Sequence, residues 1–264
     1  MQIIRPVGAF DPLRSTTRPK AAPASQSAAG ALACTMRFLL PFAVIALAAA
    51  PLPAAACSPA PGYAVPTSME LVAQSDMILL ATVTGGTVMD MAGDPHEMRI
   101  DIQPVETLKG ELAAAPSTLP IGLATGKFAV LSNPYDLDNA HPLSYAGGCI
   151  RYTVPKGSRL LFFLDQREGQ WVPAGGPFSR WAEDVLTDDA PWLQAVRFYV
   201  EVAALPESDR AAALTRRRAE WAAQDDPVAQ LLAADVDRQL AGPNKPLRDE
   251  APEDAPVQAA PEEQ

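Results

Sequence analysis

Histidine occurs twice and cysteine three times among the 264 residues of this chain, and that scarcity narrows its chemistry at once. A zinc site needs three or four convergent ligands. His96 and His141 stand apart, each in a polar loop near carboxylates, and read as solvated loop histidines; calcium at Asp136, Asp138 and Asn139 is the alternative. No Gly-x-Ser-x-Gly, P-loop, His-Glu-x-x-His or dinucleotide fingerprint occurs. His141 precedes Cys149 by eight residues, yet no third group stands by to orient such a base. The chain reads as a non-enzyme with no catalytic residue, cofactor or metal.

Long apolar runs are also missing. A membrane helix needs roughly 20 apolar residues, whereas the most apolar stretch, Phe38 to Leu52, is shorter and is interrupted by Pro41 and Pro51. With Met36-Arg37 before it and Ala54-x-Ala56 after it, that stretch reads as a signal peptide over 36–56. Residues 1–35, polar and without apolar periodicity, read as a start placed too early or an extended leader. No later segment spans a membrane.

Positive charge is scarce in what remains. Residues 57–264 carry sixteen basic and thirty acidic side chains, a formal charge of −14. Such a protein repels phosphate backbones and anionic lipid, so nucleic acid and electrostatic membrane attachment are poor partners.

Of the three cysteines, Cys34 precedes the signal peptide, which leaves Cys57 and Cys149 for an oxidising compartment. One disulfide between them is the expectation; it closes a loop of about 90 residues, for which chain entropy gives on the order of 4 to 5 kcal/mol. Cys57 stands directly after the cleavage motif, so a lipid thioether on its sulfur is the competing fate. Ala54 occupies the position where a lipoprotein signal carries an aliphatic such as Leu.

What is present is a series of short apolar segments. A proline-rich tether, Ser58 to Tyr63, leads to a short helix capped by Ser68. Met77 to Thr84 is a continuous apolar run, the pattern of a central strand buried on both faces. Met98 to Gln103 alternates, and Pro104 marks an edge or bulge before the strand continues to Leu108. Thr118–Leu123 and Lys127–Leu131 are weaker strands, Cys149–Val154 alternates again, Arg159–Leu164 is a second apolar run, and Gln170–Val172 follows a turn. Trp171, Trp181 and Trp192 mark a seam where helices dock. Three helices are then predicted: one with a stripe of Trp192, Val196, Tyr199, Val200 and Ala203, one over 208–223, and one capped by Asp226 with Pro227 in its first turn. Arg216-Arg217-Arg218 reads as a solvated face pairing with Glu220 or Asp225. Residues 242–264 are too rich in Pro, Ala, Glu and Asp to fold.

The order of these segments resembles a known family. Cys57, the tether, Leu71-Val72-Ala73-Gln74-Ser75-Asp76 leading into Met77 to Val83, Ile100-Asp101-Ile102 to Leu108-Lys109-Gly110, and Val154 to Phe163 are similar to the netrin-like domain of the tissue inhibitors of metalloproteinases. Cys149 sits where that family ties its first cysteine to an internal one. The resemblance covers about residues 57 to 175 and implies an oligonucleotide/oligosaccharide-binding-type barrel. In the family's Cys-x-Cys motif, the first cysteine chelates a protease zinc through its free amine and carbonyl. Here the third position is Pro59, so two of the family's disulfides are absent.

The expectation is therefore a mainly β chain with appended α structure: a five- to six-stranded barrel over 57–178, a helical extension over 179–241, and an acidic tail over 242–264. Its expected role is that of an exported, non-enzymatic protein-binding module of the bacterial envelope, periplasmic or secreted. Cys57 and Ser58 form the candidate partner edge, with a zinc metalloprotease as the partner the resemblance implies. The alternative is a lipoprotein with a structural or assembly role, anchored at Cys57.

Overall fold

The computed structural model of the protein describes residues 58–88 and 98–249. The expected leader and signal peptide, Cys57, residues 89–97 with His96, and residues 250–264 lie outside the described residues.

The continuous apolar run is the centre of the fold. Met77–Gly86 (β1) lies between Ile100–Lys109 (β2) and Arg159–Arg167 (β6), antiparallel to both. Leu160 to Leu164 are fully buried in β6, as are Ile78 to Ala81 in β1. Successive strand side chains alternate between faces, so two runs with no polar gap require cover on both sides. The aromatic pairs reflect this: Phe162 packs on Trp181 and its neighbour Phe163 on Trp192, at 5.8 and 6.0 Å between ring centroids. Opposite Pro104 the register of β1 with β2 shifts, as its missing N–H requires.

Thr118–Leu119 (β3) pairs with β2, and Gln170–Pro173 (β7) and Ala182–Asp184 (β8) share the far edge of β6. The six strands run β3-β2-β1-β6-β7, with β8 also on β6. Gly122–Ala124 (β4) and Thr153–Pro155 (β5) form a separate parallel pair. The main sheet is not closed into a barrel, contrary to the sequence expectation. β3 and β7 line a common cleft through Thr118, Leu119 and Trp171 without pairing. β3 is two residues long and flanked by Pro116 and Pro120, which lack ladder donors.

Four helices accompany the sheet among the described residues: Ser68–Gln74 (α1), Pro191–Ala203 (α2), Glu207–Ala222 (α3) and Pro227–Leu240 (α4). Thr67, not Ser68, caps α1, through a box in which Thr67 Oγ1 accepts from Glu70 N and Glu70 Oε2 accepts from Thr67 N. Asp226 caps α4 through Val228 N and Ala229 N, with Pro227 in its first turn, as expected. The helices are not an appendage. Trp192, Val196, Tyr199, Leu232 and Val236 belong to the same hydrophobic cluster as the buried residues of β1 and β6, and β8 falls inside the span expected to be helical.

Three other expectations change. Lys127–Leu131 is not a strand but a short 3₁₀ turn over Gly126–Phe128 followed by irregular chain, and of the alternating Cys149–Val154 segment only the last two residues are in a strand, Thr153–Pro155. The cause in the second case is Gly147 and Cys149, both in the left-handed region at φ 63° and 65°. Residues 243–249, expected to be part of an unfolded tail, are tied to the tether: Leu247 N donates to Tyr63 O, Gly62 N to Arg248 O, and Asn244 Nδ2 to Val65 O. Main-chain bonds hold them where apolar burial does not.

Candidate functional site

Ser58, half of the expected partner edge, is exposed, and its Oγ accepts from Arg248 Nη1 at 2.7 Å. Cys149 is the one cysteine among the described residues. The cysteine is half-buried, and its carbonyl accepts from Phe178 N, placing it beside the stacked rings of Tyr145 and Phe178.

Next to Cys149 opens an apolar groove of about 300 Å³ lined by Leu123, Phe128, Leu143, Gly148, Ile150 and Tyr152. Its floor is the β4–β5 pair, and its walls are the Phe128 turn and the Gly147–Tyr152 segment. Phe128 and Tyr152 are 50% and 40% exposed. Gly148 makes the wall thin: a Cβ there would stand 2.3 Å from Tyr152 Cε2. Exposed apolar side chains gathered into one concave patch mark contact surfaces more often than the same residues scattered singly.

Behind the groove lies a buried polar cluster that sequence reasoning did not find. Arg151, the residue after Ile150, is fully buried; its Nη1 donates to Ala182 O at 3.0 Å and its Nε to Thr153 O at 3.3 Å. Its Nη2 lies 2.9 Å from Asp184 Oδ2, an interaction of charge rather than an aligned hydrogen bond. Ser132 joins the acids: its N donates to Asp184 Oδ2 at 2.9 Å and its Oγ to Glu183 Oε2 at 2.6 Å. Arg180 stacks on Trp192, with Cζ 4.0 Å from the ring, and approaches Glu183 at 3.7 Å.

His141 sits in this cluster and is 1% exposed, which overturns its reading as a solvated loop residue. Its Nε2–H donates to Val130 O at 2.9 Å, its Nδ1 accepts from Leu143 N at 3.1 Å, and its main-chain N–H donates to Glu183 Oε1. Both ring nitrogens are thus used by backbone, which fixes the neutral tautomer. Burial, then the charge of Arg151, pushes the ring below the ordinary histidine range; the Val130 bond, Glu183 and Asp184 pull the other way and are outweighed. A ring so held has no lone pair to offer a thiol or a substrate.

The carboxylates weighed for calcium are already engaged. Asp136 Oδ1 accepts from Asp138 N and Asn139 N, closing its own turn, and its carboxylate also accepts from Asn139 Nδ2. Burial pushes the Asp136 carboxyl up, but these bonds and Arg180 hold it below the usual range. Asp138 pairs with Arg238 at 3.2 Å. Of the three tryptophans expected at the helix seam, Trp181 and Trp192 are buried, while Trp171 faces the cleft beside β3. Arg217 pairs with Glu220, and Arg218 reaches across to Asp237 on α4.

No family model, curated protein or solved structure matches this chain.

Proposed function

We propose that this protein is an exported, non-enzymatic protein-binding module of the periplasm or cell surroundings, and that its contact surface is the apolar groove beside Cys149. The groove carries the reading. It exposes Phe128 and Tyr152 on either side of a small pair of parallel strands, next to Cys149. Groove-lining aromatics on a rigid frame are the usual anchors of protein recognition.

Cys57 is the partner we propose for Cys149, with Cys34 assigned to the removed leader. The bond would bring the chain's processed terminus to the rim of the groove, the arrangement an inhibitor-like protein uses to present its terminal amine to a protease zinc. A lipid on Cys57 would consume the same sulfur. Intact mass of the mature protein separates these fates: a chain beginning at Cys57 and two hydrogens light supports the disulfide, and an added diacylglyceryl mass refutes it. Adding one residue before Cys57 abolishes inhibition of a zinc protease if the amine chelates; unchanged inhibition rules chelation out. For the groove itself, Phe128→Asp in the full chain should abolish capture of partners that the unaltered protein retains. Equal capture by both would refute the reading.

A further inference from the structure

The groove's surroundings differ in charge from the rest of the molecule. Between Leu112 and Leu164 the only acidic residues are Asp136 and Asp138, in a sequence that places thirty acids after position 56. Both are spent, Asp136 on its own turn and Asp138 on Arg238. Neither lines the groove.

Two lysines follow the strands that line it. β4 and β5 are parallel and in register, Gly122 with Thr153 and Ala124 with Pro155, so both strands leave the pair at the same end. Lys127 follows β4 by three residues and Lys156 follows β5 directly, both exposed. Lys127 Nζ lies 5.1 Å from the centre of the Phe128 ring. Neither has a carboxylate partner among the described residues, whereas Arg151, Arg159, Arg167, Arg197, Arg218 and Arg238 each do.

We infer that the groove takes a protein segment whose apolar side chains are followed or flanked by carboxylates. The inference rests on the proposed binding role and names the chemistry of the partner. Apolar side chains would enter between Phe128, Leu143, Ile150 and Tyr152, and the acidic flank would meet Lys127 and Lys156 at the rim. The rest of the chain is net negative, so a partner with an acidic flank favours this acid-poor stretch, whose neighbouring Glu183 and Asp184 are buried and paired.

The test pans a random peptide library on the full chain, with counter-selection on Phe128→Asp. Enriched peptides should carry apolar residues bordered by Asp or Glu. One of them, fluorescently labelled, should bind about tenfold more weakly to the double charge reversal K127E/K156E and lose affinity as salt rises. Peptides that depend on Phe128 but carry neutral or basic flanks, or that ignore K127E/K156E, overturn the partner chemistry while leaving the groove as the contact surface. No Phe128-dependent enrichment overturns the binding role itself. Two controls identify other occupants. Co-sedimentation of the full chain with phosphatidylglycerol vesicles, lost in K127E/K156E, would assign the groove to a membrane surface. A dimer in sedimentation velocity, lost in Phe128→Asp, would assign it to a second copy. Either result overturns the inference.

Discussion

Arg151 Nη2 stands 2.9 Å from Asp184 Oδ2 with both side chains shut off from solvent. This is the one ion pair of the described residues in which both partners are completely buried. Removing one partner leaves the other charge uncompensated in the interior. Arg151→Met or Asp184→Asn should each cost about 3 to 5 kcal/mol in chemical denaturation. Replacing both together should cost less than the sum of the single changes, because the two carry one shared penalty.

His141 predicts a pH dependence. Its folded pKa is depressed, so the unfolded chain binds the proton more readily. The stability it contributes is complete above the unfolded value of about 6.5 and is lost as pH falls from there through the folded pKa. Urea midpoints measured from pH 7.5 downward should decline across that window. His141→Gln should have a flatter profile and a lower midpoint at neutral pH, since its amide cannot reproduce both ring bonds.

On the helical side, Tyr199 OH donates to the buried Asp235 Oδ2, whose Oδ1 accepts from Arg238 Nη2 at 2.6 Å. Burial, and then the charge of Asp235, pushes the Tyr199 hydroxyl well above its ordinary range. Tyr199→Phe removes the donor and leaves the carboxylate short of a bond. The expected loss is about 1 to 3 kcal/mol, read from thermal or urea unfolding.

Gly148→Ala tests the groove wall. The added Cβ meets the Tyr152 ring at 2.3 Å, so the ring must move. Partner or peptide binding should fall while the unfolding midpoint shifts by no more than about 1 to 3 kcal/mol in stability. Tyr152→Ala in the same chain should recover the stability but not the binding. Recovery of both would remove Tyr152 from the contact surface.

Much of the strand and helix layout was readable from local pattern. The unbroken run from Met77, the bulge at Pro104, the run after Arg159 and the Asp226–Pro227 helix start each depend on residues adjacent in sequence or on one period of an element. The weaker strands were misread where that logic fails. In Lys127–Leu131 the apolar side chains stay exposed, Phe128 lining the groove, and the segment from Cys149 alternates without a ladder because Gly147 and Cys149 turn left-handed. The buried cluster had no sequence signal, since Ser132, His141, Arg151, Glu183 and Asp184 come from segments up to 52 residues apart and look like ordinary loop polar residues.

The sequence alone therefore determined the central strands, the Asp226–Pro227 helix start and the acidic character, because each follows from composition or short-range periodicity. Tertiary structure decided the rest. It left the sheet open, because a two-residue strand between prolines offers no ladder to β7. It turned His141 from a surface residue into a buried one, because Val130, Leu143 and Glu183 satisfy its ring nitrogens and main-chain N–H and Ser144 N its carbonyl. And it brought Phe128, Ile150 and Tyr152 to one groove, because β4 and β5 run side by side in the same direction.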